Sequence, residues 1–316
     1  MSTHIDESST GVGSASRRPR TRGRTAGDLA RSLPWIAPAL ILIFGVVLYP
    51  AGLMFYNSTR RISISGLDKG SAGFDNYAQV FSFPAFWPIV GRTIVWVVAV
   101  VVITVVLSLV LAQLLNKAFP GRQFVRLAVI IPWAASVVMT TLVVYYGLEP
   151  YFGIINRFLV DVGLVGTPEG YGWTKHVDTA FAWSIAIAVF VSLPFTTYTI
   201  LAGLQGIPGD ALEAAKMDGA SPRRMYFSVV LPQLRASLSV AVLINIINVF
   251  NSLPILKVMT GSIPGYDADT IMTMIFKYIQ NQHQVEVASA LSVIGFLIVL
   301  VVVAIYLRTV RPMKEV

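Results

Sequence analysis

The chain has 316 residues, 55% of them hydrophobic and 13% charged, with a mean hydropathy of +0.70 and a formal net charge of +8. Soluble globular chains do not reach these values together, so the class is polytopic membrane protein. The basic residues fall in blocks between apolar runs, which argues for a lipid bilayer and against nucleic acid as partner; zero cysteines exclude disulfides and thiolate metal sites.

Residues 1–33 are rich in Ser, Gly and Arg, the composition of a disordered tail. The apolar run that follows is too long for a signal peptide and lacks a small-residue cleavage site, so the tail is expected to be retained. Six runs then reach the roughly 20 residues that a hydrocarbon core of about 30 Å requires. They are 34–56, 94–115, 127–148, 181–204, 234–253 and 287–307, and together they predict an all-α integral membrane protein of six transmembrane helices. The organisation expected is a basic tail (1–33), a six-helix domain (34–308) and a short C-terminal tail (309–316).

Lys and Arg are distributed unevenly about these runs. The N-terminal tail has six, the 116–126 loop three, the 205–235 loop four and the C-terminal tail three, which leaves eight of the 24 for the other side. By the positive-inside rule both termini and the 205–235 loop lie in the cytoplasm. Outer loops carry amphipathic pieces: Asp75 is placed to cap a helix through Phe81, 153–162 puts Ile155, Phe158, Leu159 and Val162 on one face, and 270–279 does the same with Ile271, Met274, Ile275 and Tyr278. These are read as interfacial helices at the outer rim, and Phe86-Trp87 and Tyr145-Tyr146 as aromatic-belt residues.

No span carries an Asp, Glu, Lys, Arg or His well inside the hydrocarbon. Ion-coupled carriers usually need an ionisable group at depth, so a proton-driven mechanism is disfavoured. The chain also lacks a G-x-x-x-x-G-K-[ST] phosphate loop, so it should bind no nucleotide itself. Neutral polar residues do occur at depth. In the fifth run Asn245, Asn248 and Ser252 are spaced i, i+3, i+7 and share one helical face. Amides and hydroxyls on one face suit the hydroxyls of a neutral polyol, and they equally suit the gluing of helices. In the fourth run Ser192-Leu193-Pro194-Phe195 is expected to interrupt the helix, because proline frees a backbone carbonyl. Phe195 offers either a stacking face or ordinary packing.

The longest polar passage between runs on the inner side is 205–232, QGIPGDALEAAKMDGASPRRMYFSVVLP. Pro208-Gly209 breaks the preceding helix. Asp210 with Glu213 three residues on has the pattern of a capping box. Gly219 can end the helix in the left-handed conformation, and Ser221-Pro222 restarts one. The helix between is surfaced by Ala211, Ala214 and Ala215, small enough to enter another protein's cleft.

Glu213-Ala214-Ala215, Asp218-Gly219-Ala220 and Leu231-Pro232 resemble the EAA loop of ABC importer membrane subunits, and most closely the carbohydrate branch that includes the maltose permeases. The likeness covers most of 34–308. It implies the type I importer fold and a role as one of two non-identical permease subunits, served by two cytoplasmic ATPase subunits that bind ATP and Mg, and by an extracytoplasmic sugar-binding protein. The chain itself would be no enzyme and would hold no cofactor or metal. Glu213, Ala214, Ala215, Asp218, Gly219 and Pro222 would couple to the ATPase, with Glu213 capping the helix. A tight corner at Gly219 would make Gly219→Asp uncouple transport. The family's sugar-contacting positions fall on Ser192, Phe195, Asn245, Asn248 and Ser252. Two departures stand on the outer side: Thr260-Gly261-Ser262-Ile263-Pro264 where the family often has Thr-x-Gly-Gly-Pro, and Glu286 where a Gly commonly precedes Ala288-Ser289-Ala290. The rival readings are an importer for another polyol-like solute such as glycerol-phosphate, and a stand-alone carrier or channel.

Overall fold

The structure, a computed structural model, describes residues 26–166 and 171–310. It divides into two compact units at the Gly52–Leu53 bond. The first holds α1 (Ala26–Leu42), a π-helical stretch at Ile43–Leu48 and the first turn of α2 (Tyr49–Asn57). Helix therefore begins inside the stretch expected to be a disordered tail: with Pro34 and Pro38 in α1, the run 26–42 still reads as helix. The rest of that tail lies outside the described residues, as does the C-terminal tail beyond Val310.

The second unit continues from α2 into a hairpin, β1 (Arg60–Ile62) paired antiparallel with β2 (Asp68–Ser71), the one sheet among the described residues. Arg60 closes it with an ion pair to Asp68 at 2.7 Å, and Arg61 reaches Asp75 at 2.8 Å. Asp75 thus opens α3 (Asp75–Ser82) as its first residue, paired to an arginine; the cap position is Phe74, with no side-chain capping bond.

Next come α4 (Phe86–Asn116), α5 (Arg122–Ala134), α6 (Val137–Gly147), α7 (Ile154–Asp161) and α8 (Val177–Gln205). A polar corner follows, with α9 (Gly209–Met217), α10 (Pro222–Met225), a π-helical turn at Tyr226–Val230 and α11 (Leu231–Gln233). The chain ends through α12 (Arg235–Phe250), α13 (Leu253–Thr260), α14 (Ile271–Gln280) and α15 (Val285–Val310).

Four stretches are long and apolar enough to cross a membrane in one piece: Pro34–Asn57, α4, α8 and α15. Two more pairs would cross as bent spans, α5 with α6 at 97° and the Pro222–Gln233 segment with α12 at 66°. Six spans result, but two are not the straight helices the apolar runs suggested. Extended backbone at Ala135 and Ser136, just after Pro132, breaks the third. The fourth behaves in the opposite way. Pro194 was expected to interrupt it, yet α8 runs unbroken for 29 residues with Pro194 buried inside. Hydroxyls of Thr196 and Thr199 donate to the carbonyls of Ser192 and Phe195 at 2.9 and 2.8 Å, supplementing backbone bonds around the proline.

The main core joins α4, α8, α12, α13, α14 and α15 around Trp96, Ile89, Leu256, Met259 and Leu291, all at most 1% exposed. Helix α14 belongs to this core. Ile271 and Met274 are fully buried and Tyr278 nearly so, which corrects the interfacial reading of 270–279. At the start of α14 the Thr270 N–H donates to Thr273 Oγ1 at 2.8 Å, and the Ile271 N–H donates to Thr93 Oγ1 at 3.0 Å, which ties the helix to α4. A second, smaller core sits beneath the polar corner, built by Ala112, Leu115, Ile200, Leu201, Leu204, Val230 and Leu234.

Candidate functional site: a polar cavity and the corner that joins its walls

The corner is built by local chemistry. Helix α9 begins at Gly209 with Pro208 in the cap position and no side-chain capping bond. The Asp210–Glu213 capping box is therefore absent: Asp210 is the second residue of the helix, two positions past the cap, and stays as an acidic group at the positive helix end. Glu213 is exposed and caps nothing. The other end forms as its glycine required. Gly219 has φ +72°, its N–H donates to the Lys216 carbonyl and that of Ala220 to the Ala215 carbonyl, both at 3.0 Å. That bond pair is the Schellman arrangement. Ser221 then accepts from the Arg224 N–H at 3.4 Å with Pro222 at the first helical position.

Leu212 and Tyr226 pack onto the core beneath the corner, so α9 is anchored through leucine while Glu213, Ala214, Asp218, Gly219 and Pro222 remain exposed and Ala215 half-buried. One apolar side chain, Met217, stands 88% exposed beside them. No space is crowded at Gly219: a Cβ there would meet nothing within 4 Å. The constraint on that residue is its backbone conformation, not its surroundings.

Helices α8 and α12, the two arms of this corner, line a cavity of about 330 Å³. Ser192 and Phe195 from α8 border it, as do Asn245, Asn248 and Ser252 from α12 and the turn after it. All five residues singled out in the sequence come together here. Their roles differ. Asn245 is 3% exposed, and its amide donates to Thr196 Oγ1 at 2.7 Å and to the Ala241 carbonyl at 2.8 Å. One proton joins α12 to α8 and the other closes back on α12's own backbone, which leaves only its carbonyl oxygen for the cavity. Asn248 is exposed, and among the described residues neither it nor the Ser192 and Ser252 hydroxyls makes a side-chain hydrogen bond. No charged side chain lines the cavity.

Trp133 and Val137 from the bent third span close the far side. Neither was singled out by the sequence reading. A straight third helix gave no reason to bring them there, and the extended pair at Ala135-Ser136 is what does. Trp133 and Phe195 also border a second, wider cavity of about 730 Å³ that runs along α8 and α12 toward the corner, past Tyr198, Thr199, Ala202 and Ser237. The two aromatic rings thus stand at the boundary between a polar chamber and a mostly apolar one.

Comparison with known proteins fits this geometry. Residues 104–312 match the family model described as the binding-protein-dependent transport system inner membrane component. A probable ABC transporter permease of Brucella suis biovar 1 is 35% identical over 280 residues, covering 88% of this chain and 96% of the relative. A trehalose/maltose transport system permease of Thermococcus litoralis is 30% identical over 280 residues, covering 89% and 93%. The crystal structure of a bacterial ABC transporter that imports the acidic polysaccharide alginate has a chain sharing this fold, with a TM-score of 0.77 at 20% identity over 92% of this chain and 99% of that one. The chain is a multi-pass membrane protein and belongs to the binding-protein-dependent transport system inner membrane component family, as a permease subunit of an ABC importer.

Proposed function

We propose that this chain forms one half of the translocation pore of an ATP-driven importer for a neutral disaccharide or oligosaccharide. The observation that carries the reading is the uncharged cavity: an amide and two hydroxyls without protein partners face it beside two aromatic rings. Neutral donors and acceptors match sugar hydroxyls, and aromatic faces match the apolar faces of a pyranose. A phosphorylated or acidic solute would call for Arg or Lys in the lining, and the lining has neither.

In this reading the termini and the 205–232 corner are cytoplasmic. ATP and Mg are bound by two ATPase subunits, a second, non-identical permease supplies the other wall of the pore, and an extracytoplasmic sugar-binding protein delivers the solute. Closure of the ATPases moves α9, whose exposed Glu213, Ala214, Asp218, Gly219 and Pro222 form the contact. The corner passes that motion into α8 and α12, and the polar chamber opens to one side and then the other.

The test is purification of the tagged chain in mild detergent with its co-purifying subunits, followed by reconstitution into liposomes. Uptake of a radiolabelled disaccharide panel is expected only with ATP inside and the binding protein outside. Transport by the chain reconstituted alone, indifferent to ATP, would overturn the proposal.

A further inference from the structure

Helix α5 opens on two arginines that meet no anion among the described residues. Gly121, at φ +85°, turns the chain into the helix, so Arg122 is its first residue and Arg126 follows one turn later. Side chains at this spacing are neighbours on one helical face, about 5–6 Å apart at their Cβ atoms. Val125 and Val129 share that face, since 122, 125, 126 and 129 recur at i, i+3, i+4 and i+7, and both valines pack on the small core beneath the corner. The opposite side of α5 is apolar and open, with Phe124, Leu127 and Ile131 79, 60 and 58% exposed. The Tyr198 hydroxyl on α8 donates to the Arg126 carbonyl at 3.1 Å and fixes this turn in place.

Both arginines are half-buried, and the Nε of each is sealed from solvent without an acceptor. The three ion pairs among the described residues all join other groups. Asp210, Glu213 and Asp218, the acidic side chains of the neighbouring corner, are exposed and pair with neither arginine. The two charges also stand at the unfavourable end of their helix, because a helix N-terminus is itself positive. A lysine could relieve such crowding by giving up its proton. A guanidinium cannot, as its pKa lies above about 12. Two covered, permanently charged donors therefore need an acceptor from outside these residues.

We infer that Arg122 and Arg126 form a binding site for a phosphate group, brought either by the headgroup of an anionic phospholipid or by a soluble phosphate ester. Planar guanidinium forks match phosphate oxygens, and the positive helix end adds to the same attraction. A carboxylate presents two oxygens in one plane and is filled by one fork, whereas tetrahedral phosphate oxygens can be shared by two forks that approach from successive turns. Position suits both sources: the site opens at the polar end of α5, with Phe124 and Leu127 beside it on the apolar side of the helix. It is distinct from the solute pathway, since neither arginine lines the polar chamber or the wider cavity. A bound phosphate would hold α5 on the core it shares with the end of α8, and so stabilise that seam.

The test uses the full chain, purified in its complex and stripped of lipid in a phosphate-free detergent. Its melting temperature is followed in two titrations, one with short-chain phosphatidylglycerol and one with inorganic phosphate against chloride at equal ionic strength. A rise is expected. A rise with the lipid alone supports the site and makes a headgroup its source; a rise with inorganic phosphate supports the site with a soluble source. Changing both arginines to Lys keeps the charge and removes the forks, and is expected to raise the half-saturating concentration about tenfold. Arg122→Gln with Arg126→Gln is expected to abolish the rise. No rise in either titration overturns the proposal, and is the result that a partner subunit's carboxylate seated on the pair would give. An unchanged rise in the Gln pair overturns it as well. Should the Gln pair fail to assemble, the Lys pair decides, because half-saturation equal to that of the wild type would also overturn it. None of these readings depends on transport, so they stand or fall apart from the importer function.

Discussion

Replacing Gly219 separates two reasons why a corner needs glycine. Its φ of +72° lies in the left-handed region, and the space a side chain would enter is empty. The expectation that Gly219→Asp crowds the corner is thereby corrected: the penalty is in the backbone alone. An L-residue in that conformation costs about 1–2 kcal/mol, less for Asn and Asp, whose short polar side chains visit it, and more for β-branched residues. At about 1.4 kcal/mol per tenfold, Gly219→Ala should shift the balance from formed to frayed corner by a factor of about 5–30. Fraying breaks the Gly219–Lys216 and Ala220–Ala215 bonds and releases the end of α9. The expected order of uptake in the reconstituted importer is therefore glycine, then Asn and Asp, then Ala, then Val, with ATP hydrolysis falling less than uptake. The assay is initial uptake and phosphate release on the same liposome preparation. Equal uptake by the Asn and Val variants, at equal incorporation, would refute the backbone argument.

Within the cavity, Asn248→Ala and Ser252→Ala are expected to raise the half-saturating solute concentration without changing assembly, since neither side chain joins helices. Asn245→Leu should instead lower thermal stability in detergent by the worth of an intramembrane hydrogen bond, about 0.6–1.7 kcal/mol; identical melting of the Asn245 and Asn248 variants would contradict that split. At the α13–α14 end, Lys277 holds the 3%-exposed carboxylate of Asp269 at 2.6 Å, while Lys257 lies over the Phe276 ring. Lys277→Met strands a buried charge, at about 3 kcal/mol or more, whereas Lys257→Met forfeits about 1 kcal/mol or less; a melting comparison reads the difference, and equal shifts would contradict it. In the β1–β2 hairpin, hydrogen bonds from Arg60 and then the Gly70 N–H hold Asp68 below its ordinary pKa. A depressed carboxylate stabilises the folded form above its unfolded value near ~4 and loses that contribution as pH falls through the lower folded value. Amide protection at Arg60–Ser71, taken relative to the base-catalysed intrinsic exchange rate, should therefore fall only under strongly acid conditions, and a loss of protection centred at neutral pH would contradict the pairing.

The number of spans was legible because each apolar run is long and bounded by charge. Their shapes were not. Pro132 and Pro194 are both prolines at depth, and the sequence reading broke the wrong helix. The two differ in the backbone that follows: α8 stays helical through the buried Pro194, whereas Pro132 precedes Ala135-Ser136, which adopt extended backbone. Capping was misread as well. Asp75 and Asp210 each look like a cap in a one-dimensional pattern, but one has an arginine within reach and the other sits inside a helix that proline has already started. Conversely, Gly219 and Ser221-Pro222 were legible because their constraint is local, fixed by φ and by the missing proline N–H. The i, i+3, i+7 face of α12 was legible as a face but not as two functions. Only the position of Thr196 across the interface reveals that Asn245 is committed to helix joining while Asn248 is not.

That division of labour bears on how tightly such a cavity can hold its solute. A site that must release what it binds at every cycle cannot surround it with committed donors. Here the amide that is rigidly fixed, Asn245, has spent its protons on Thr196 and Ala241, and the groups with protons to offer, Asn248, Ser192 and Ser252, are those with no partner to hold them in place. Adaptable side chains lose rotamer freedom on binding, which offsets part of each hydrogen bond they make. Under the proposed importer function, such contacts exchange readily, and discrimination among sugars would rest with a binding protein that delivers them. Fixing Asn248 by a new buried neighbour, for example Ile244→Gln within reach one helical turn away, should therefore slow release: solute binding tightens while maximal uptake falls. If the variant binds more tightly and transports faster, weak adaptable contact is not what limits this pore.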